Sequence, residues 1–149
     1  MLVLTFQVAG MAYAVAASRV VEVLPRVGLR ALPHAPAHLV GLLRYRGGAV
    51  PVVDLGLLMG SGPCRERLDT RIVLVQGEGP GPAGYLGLVA ERVDEVRQVD
   101  QGRKAVEAMG LPEAPYLGDA YQLDDGLLQM IDPGRISATS AFEGRAVAP

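Results

Sequence analysis

Residues 41–55 read GLLRYRGGAVPVVDL, and their pattern predicts a β-hairpin. This hairpin is the strongest indication of the fold. Two apolar runs flank Gly47 and Gly48, which accept the positive φ angles that a two-residue hairpin turn requires. Pro51 lies within the returning β-branched run and cannot donate a hydrogen bond to a neighbouring strand. The returning strand is therefore predicted to be an edge strand or a bulged strand.

The hairpin also carries two arginines, Arg44 and Arg46. They are two residues apart, so an extended strand projects both side chains from the same face. Lys104 is the only lysine among 14 basic residues. Arginine suits protein interfaces, but the arginines are scattered, so codon bias in a GC-rich genome is the better explanation of their number. Arginines beside a sheet edge predict a docking surface more than a catalytic one.

Length and composition exclude several classes of protein. The 149 residues suit one domain, which has room for two lobes, and the formal net charge of −2 argues against nucleic acid as a partner. No apolar run approaches the roughly 20 residues that cross a bilayer, so no membrane insertion is predicted. The N-terminal MLVLTFQVAG reads as a strand and not as a signal peptide. Cys64, the only cysteine, permits no internal disulfide, which fits a reducing, cytoplasmic location.

Strand patterns recur along most of the chain. Extended runs bounded by turn residues occupy residues 2–9, 13–16, 70–76, 85–99, 116–123 and 127–132. Many short strands with frequent turns favour small barrels or a sandwich. The Gly- and Pro-rich loop over residues 77–84 is the predicted boundary between two lobes. Ser18 predicts the start of a short helix over residues 19–23.

Candidate catalytic and metal-binding residues are few. His34 and His38 have the i, i+4 spacing that binds zinc on a helix, but Pro36 lies between them and no third ligand is near. Cys64 lies in a loop without an activating histidine. Most Asp residues follow strands or lie in turns, where Asp makes local hydrogen bonds. The sequence therefore predicts no catalytic residue, no metal ligand and no cofactor.

Glu22 and Arg46 form the most informative pair of charged residues. Glu22 lies among apolar neighbours, and Arg46 lies at the tip of the predicted hairpin. One interpretation is two ordinary solvated charges. The other is an ion pair across a groove, in which the guanidinium fork clamps the carboxylate. The residues alone leave both interpretations open.

A series of short motifs follows the chain in a fixed order. The first are Thr5-Phe6-Gln7-Val8, Val20-Val21-Glu22-Val23, Pro33-His34-Ala35-Pro36, Tyr45-Arg46-Gly47 and Val50-Pro51-Val52-Val53-Asp54-Leu55. Downstream follow Gly87-Leu88-Val89, Val93-Asp94-Glu95-Val96 and Tyr116-Leu117-Gly118. In order and spacing these motifs resemble the CheW family of chemotaxis coupling proteins over about residues 2–137.

The resemblance implies a mostly β fold. It consists of two SH3-like five-stranded β-barrel subdomains, with short helical segments, packed on a shared hydrophobic core. Residues 1–140 then form a single domain whose two lobes can exchange strands, and residues 141–149 are expected to be a disordered tail.

The resemblance also implies a non-catalytic scaffold. Such a protein couples the cytoplasmic tips of chemoreceptors to the regulatory domain of a CheA-type histidine kinase, in the cytoplasm at membrane-associated receptor arrays. In the family, a turn arginine and a glutamate form a salt bridge beside the receptor groove, and these positions match Arg46 and Glu22. Val20, Gly41 and Gly47 match neighbouring positions of the receptor-binding surface. No kinase-binding residue is assigned, and no cofactor is implied.

Two other functions stay open. One is a regulator that binds a small ligand between its barrels, and the other is a barrel-fold hydrolase, which needs a convergent acidic pocket. The phrases SRVVEVLP, TRIVLV and APYLG resemble adaptors of the Wsp-type surface-sensing branch, whose pathway controls cyclic-di-GMP synthesis. Departures from the family pattern at Tyr13-Ala14-Val15-Ala16 and at Arg71 leave the identity of the receptor and the kinase open.

Overall fold

The computed structural model describes residues 1–139, apart from the side chain of Asp94. The strands of these residues are β1 (Leu2–Val8), β2 (Met11–Ala16), β3 (Val20–Pro25), β4 (Leu39–Tyr45), β5 (Gly48–Asp54), β6 (Arg71–Gln76), β7 (Tyr85–Gln98), β8 (Lys104–Val106), β9 (Leu117–Leu123) and β10 (Gly126–Ile131). The helical segments are α1 (Leu55–Leu58) and short 3-10 turns at Ala17–Arg19, Pro82–Gly84, Gln101–Arg103 and Pro133–Arg135. Within the described residues, no helix is long and apolar enough to span a membrane. The fold is mostly β, as predicted.

β7 is the longest strand, and it belongs to two groups of strands. Its first half, residues 85–90, pairs with β6 and, in parallel, with β5. Its second half, residues 91–98, pairs with β1. β3 and β4 complete the first group, which we name the β4–β5 subdomain, and β2, β10, β9 and β8 continue the second, the β9–β10 subdomain. The two barrel-like subdomains therefore share one strand, in a sheet whose hydrogen-bonded path does not close.

The change of partner occurs at a bulge within β7. Arg92 has a φ of 49°, and the register with β1 shifts between Thr5 and Gln7. Such an irregularity bends a strand and increases its twist. The loop over residues 77–84, the expected lobe boundary, joins β6 to β7 inside the β4–β5 subdomain. A strand, and not that loop, passes between the subdomains. The predicted tail over residues 141–149 lies outside the described residues.

β6 shows how one strand contributes to two cores. Ile72, Val73, Leu74 and Val75 are all fully buried, and their side chains alternate between the two faces of the sheet. Val73 and Val75 join a central cluster that also contains Phe6 of β1. Ile72 and Leu74 join a second cluster inside the β4–β5 subdomain, and a third cluster lies in the β9–β10 subdomain. The predicted packing of two subdomains on a shared core is confirmed.

The predicted helix over residues 19–23 is wrong. A 3-10 turn covers Ala17–Arg19, and Val20 begins β3, which pairs along its length with β6. Ser18 lies inside the 3-10 turn and not at its N-cap. The β-branched side chains of this segment suit a strand, and pairing with β6 satisfies its backbone groups. Glu22 therefore lies on a strand.

β5 is an edge strand over only part of its length. Residues 48–51 pair with β4 alone among the described strands, whereas Val52, Val53 and Asp54 also pair with β7. The edge predicted from Pro51 is therefore confirmed for the half of β5 next to the hairpin turn. That open half leaves the hairpin tip uncovered by any neighbouring strand on the β7 side.

Candidate functional site

The tip of the β4–β5 hairpin is a two-residue turn formed by Arg46 and Gly47. Tyr45 and Gly48 are the last pair of the ladder, and the two turn residues have φ angles of 48° and 83°. The predicted turn at Gly47 and Gly48 is therefore wrong by one residue, since Gly48 already belongs to β5. A positive φ is uncommon for arginine. The turn places the Arg46 side chain in solvent, where 79% of its surface is exposed.

Glu22 reaches the hairpin tip from β3, which contains a bulge. The ladder between β3 and β6 shifts between Val20 and Glu22, which leaves Val21 as an extra residue. A bulge of this kind re-aims the side chains that follow it. The Glu22 carboxylate Oε1 lies 3.8 Å from Nη2 of Arg46. The structure thus brings together the two charged residues whose pairing the sequence left open.

Tyr45 completes a three-residue arrangement with Glu22 and Arg46. The Tyr45 hydroxyl donates a hydrogen bond of 2.5 Å to Glu22 Oε1, the same oxygen that faces Arg46. The Arg46 guanidinium carbon lies 5.3 Å from the centre of the Tyr45 ring, within the range of a cation–π contact. The hydrogen bond to Glu22 is the main cause that raises the pKa of Tyr45, so the hydroxyl is a neutral donor at physiological pH. One hydrogen bond, from Tyr45, and one longer ion pair, with Arg46, therefore hold the carboxylate.

A concavity of about 390 Å³ lies beside these three side chains. Its apolar wall is formed by Tyr45, Tyr85, Pro82 and Val21, and its polar side by Glu22 and Arg46. The rings of Tyr45 and Tyr85 meet edge to face, with centroids 6.3 Å apart and planes at 66°. A concavity that combines an apolar wall with a few fixed polar groups is typical of a binding site. We name this surface the hairpin groove.

The other three residues predicted for the receptor surface do not line the groove itself. Gly47 is part of the turn that carries Arg46. Val20 is half-buried and packs against the central core cluster. Gly41 is buried with a φ of 152°, and a Cβ placed there would lie 2.8 Å from the carbonyl oxygen of Arg30. The structure thus brings Glu22, Arg46 and Gly47 together and gives Val20 and Gly41 packing positions.

Three groove residues were not singled out by the sequence: Tyr45, Tyr85 and Pro82. Tyr45 belongs to the hairpin motif, but no local pattern connects it with Glu22. Pro82 lies in the 3-10 turn of the loop that the sequence predicts as a lobe boundary, and Tyr85 begins β7, which the sequence predicts only as a strand. The available signal was compositional, because Tyr85 and Tyr45 are two of only five tyrosines in the chain.

Asp54, at the other end of the same hairpin, has a structural role. It is 1% exposed, and its Oδ1 accepts a hydrogen bond of 3.1 Å from Leu57 N, which caps α1. Both of its carboxylate oxygens also lie within 3.2 Å of Cys64 N. Asp is among the preferred residues at a helix N-cap. This carboxylate therefore fixes the connection after the hairpin and faces no groove.

Cys64 and His38 have backbone hydrogen-bond partners, and His34 is exposed. Cys64 is buried, donates to Val89 O at 3.4 Å, and has a pKa raised to about 12 mainly by burial. Such a thiol stays protonated at neutral pH and is a poor nucleophile. His38 is buried with Nε2 3.2 Å from Ser137 O, whereas His34 is exposed in a turn. Among the described residues, no group of three or more His, Cys, Asp or Glu is placed to hold a metal.

Several carboxylates of the β9–β10 subdomain are held by cations. The pairs are Asp119 with Lys104 at 3.3 Å, Asp124 with Arg103 at 3.0 Å and Asp125 with Arg97 at 3.1 Å. A backbone hydrogen bond lowers the pKa of Asp119, and the hydrogen bond from Arg97 lowers that of Asp125. A glycosidase-type general acid needs a raised pKa instead. These carboxylates do not form the acidic pocket that a hydrolase requires.

Comparison with known proteins gives a consistent result. The family model of the CheW-like domain matches residues 2–140. No curated protein matches significantly. Among solved structures, the fold is similar to that of the scaffolding protein TtCheW from Thermoanaerobacter tengcongensis, with a TM-score of 0.75 and 23% sequence identity over 88% of this chain and 83% of that one.

Proposed function

This chain belongs to the CheW-like domain family, and from that premise we propose that it is a non-catalytic adaptor that couples chemoreceptors to a CheA-type histidine kinase. The hairpin groove receives the helical hairpin at the cytoplasmic tip of a receptor. A separate surface, to which we assign no residues, engages the regulatory domain of the kinase. The adaptor acts in the cytoplasm, at receptor arrays on the membrane.

The observation that carries this proposal is the arrangement of Arg46, Glu22 and Tyr45 at the edge of an apolar concavity. Arg46 is held over Tyr45 in an exposed turn, and Glu22 is brought to it by the bulge in β3. Fixed polar groups beside an apolar wall are suited to orienting a partner, while apolar anchors supply most of the affinity.

The charge pair contributes little to folding. An ion pair this exposed is screened by water and is worth at most about 1 kcal/mol. The long separation of 3.8 Å between Arg46 and Glu22 is consistent with a weak interaction. The value of the pair therefore lies in what it presents to a partner, which makes binding and stability separable by experiment.

Replacing Arg46 with Glu tests the proposal. The substitution places two carboxylates face to face at the groove, which should weaken binding of a receptor tip fragment at least tenfold while the protein stays folded. Binding is measured by isothermal titration calorimetry, and folding by circular dichroism and thermal melting.

Arg44→Glu is the matched control, because Arg44 is exposed on the same hairpin and pairs with Ala49 away from the turn. It makes the same change in net charge. Receptor binding that is unchanged by Arg46→Glu, or equally weakened by Arg44→Glu, would contradict the assignment of the site.

A further inference from the structure

The hairpin groove presents a hydrogen-bond acceptor and several donors that the chain does not use. Tyr45 and Arg46 both approach Oε1 of Glu22, and no hydrogen bond or ion pair to Oε2 is found among the described residues. The Glu22 side chain is 41% exposed. Arg46 carries five N–H donors, and among the described residues they make one ion pair, with Glu22 Oε1, and no hydrogen bond. A free acceptor and free donors therefore lie side by side.

Charge complementarity limits which chemical group of a partner can bind between Glu22 and Arg46. A carboxylate on the partner would be attracted by Arg46 but repelled by the Glu22 carboxylate. An ammonium group would be attracted by Glu22 but repelled by Arg46. Like charges placed together across an interface are strongly unfavourable. A carboxamide avoids both conflicts, because its C=O accepts from the guanidinium while its NH₂ donates to the carboxylate.

We propose that the Arg46–Glu22 pair reads a side-chain carboxamide, an Asn or Gln of the partner's helical tip, with an aliphatic side chain of the same helix packed on the wall formed by Tyr45, Tyr85 and Pro82. This inference rests on the proposed function, since it takes the receptor tip as the partner. The Tyr45 hydroxyl is a positioning group here: it holds Oε1 of Glu22 and leaves Oε2 for the partner.

The shape of the groove agrees with a side chain pair on one helix. A concavity of about 390 Å³ exceeds the volume of one carboxamide side chain and leaves room for an apolar neighbour. Residues three or four apart on a helix lie on one face. At that spacing, an Asn or Gln would contact the polar side of the groove while an aliphatic residue of the same helix packs on its apolar wall.

The test uses the full chain and a soluble helical hairpin fragment from the cytoplasmic tip of a chemoreceptor of the same organism. Each Asn and Gln of the tip is changed in turn to Asp or Glu, which keeps the shape and replaces the NH₂ donor by an anionic oxygen. Calorimetry should find one position at which this change weakens binding to the unmodified chain at least tenfold.

A second measurement repeats the titration of that anionic fragment with the Glu22→Gln variant of the chain. The substitution removes the repelling carboxylate, so it should restore at least half of the lost binding free energy for that one anionic fragment. Asp124→Asn is the control, because it removes the same charge from an exposed carboxylate of the β9–β10 turn that does not line the groove, and it should restore none.

The outcomes separate the two proposals. No binding of the unmodified fragment overturns both. Binding that is indifferent to every Asn and Gln overturns the carboxamide inference and leaves the adaptor function standing. A sensitive position that Glu22→Gln does not rescue shows that the carboxamide contacts another part of the chain, which also overturns the inference.

Discussion

The two ends of the β4–β5 hairpin carry charged residues with opposite surroundings. At the tip, Arg46 is 79% exposed and faces Glu22 at 3.8 Å. At the base, Asp54 is 1% exposed and accepts hydrogen bonds from the backbone N–H groups of Leu57 and Cys64. Both residues belong to the same sequence motif, which by itself does not distinguish them.

Burial decides what each charge contributes. A buried carboxylate whose partners are backbone N–H groups cannot be removed without leaving those donors unsatisfied. The two charges of an exposed ion pair can be solvated by water instead of by each other, with little change in the free energy of unfolding. Substitutions at the base should therefore change stability, and substitutions at the tip should change binding.

The largest effect on stability is expected from Asp54→Ala. The change removes the cap of α1 and leaves Leu57 N and the buried Cys64 N without their acceptor, so the free energy of unfolding should fall by about 2–4 kcal/mol. Urea denaturation followed by circular dichroism measures the loss.

Asp124→Ala is the control for the loss of a carboxylate. Asp124 is exposed in the β9–β10 turn and pairs with Arg103 at 3.0 Å, so its removal should cost under about 1 kcal/mol. Equal losses of stability in the Asp54 and Asp124 variants would show that burial does not determine how much each carboxylate contributes to folding. The folded fraction of the Asp54 variant should bind the receptor fragment with unchanged affinity.

A smaller loss of stability is expected from Gly41→Ala. Gly41 has a φ of 152°, and the new Cβ would lie 2.8 Å from both the Arg30 carbonyl oxygen and the Leu29 Cβ, so unfolding should become easier by about 1–3 kcal/mol. Thermal melting and urea denaturation measure the change.

Gly48→Ala makes the same substitution where space is available. Gly48 has no positive φ, and the nearest atom to its added Cβ is the Tyr45 carbonyl oxygen at 3.7 Å, so its stability should stay within about 1 kcal/mol. A Gly41→Ala variant of normal stability that binds the receptor fragment weakly would make Gly41 a contact residue instead of a packing residue.

Much of the fold was readable from the sequence, because turn chemistry and alternating burial are local. The hairpin of β4 and β5, the buried run of β6 and the long strand β7 follow from such patterns. The helix that local residues predict over 19–23 does not form, because this segment pairs as a strand with β6, a partner far along the chain. The passage of β7 between subdomains is likewise set by pairing with β1 and β6, which no local pattern encodes.

The candidate site was readable only in part for the same reason. Arg46 could be placed at a turn from local residues, but its contact with Glu22 depends on the bulge in β3. The hydrogen bond of Tyr45 to Glu22 and the contact of Tyr45 with Tyr85 join separate strands, and the sequence predicted neither. The residues of a groove come from separate strands that the tertiary fold brings together, whereas the residues of a turn are consecutive in the sequence.

The smallest effect is expected from Tyr45→Phe, which keeps the ring beneath Arg46 and removes the hydroxyl donor to Glu22. Glu22 is then free to turn away from the groove, so receptor affinity should fall by about two- to fivefold with little change in folding. Tyr85→Phe is the control, since the Tyr85 hydroxyl has no hydrogen-bond partner among the described residues, and its affinity should not change.

The ratio of affinities between the chain with Tyr45 and the Phe variant should not change with pH until the Tyr45 hydroxyl ionises. The hydrogen bond to Glu22, ahead of burial, raises the pKa of Tyr45 above its ordinary value, and the neutral hydroxyl is the donor. Because the folded pKa is the higher one, the contribution of this bond is complete below about pH 10, the ordinary tyrosine value, and is lost as the pH rises through the folded pKa. Affinities measured from pH 7 to 9 should therefore show a constant ratio, and a ratio that already declines between pH 7 and 8 would contradict the role of Tyr45 as the donor that positions Glu22.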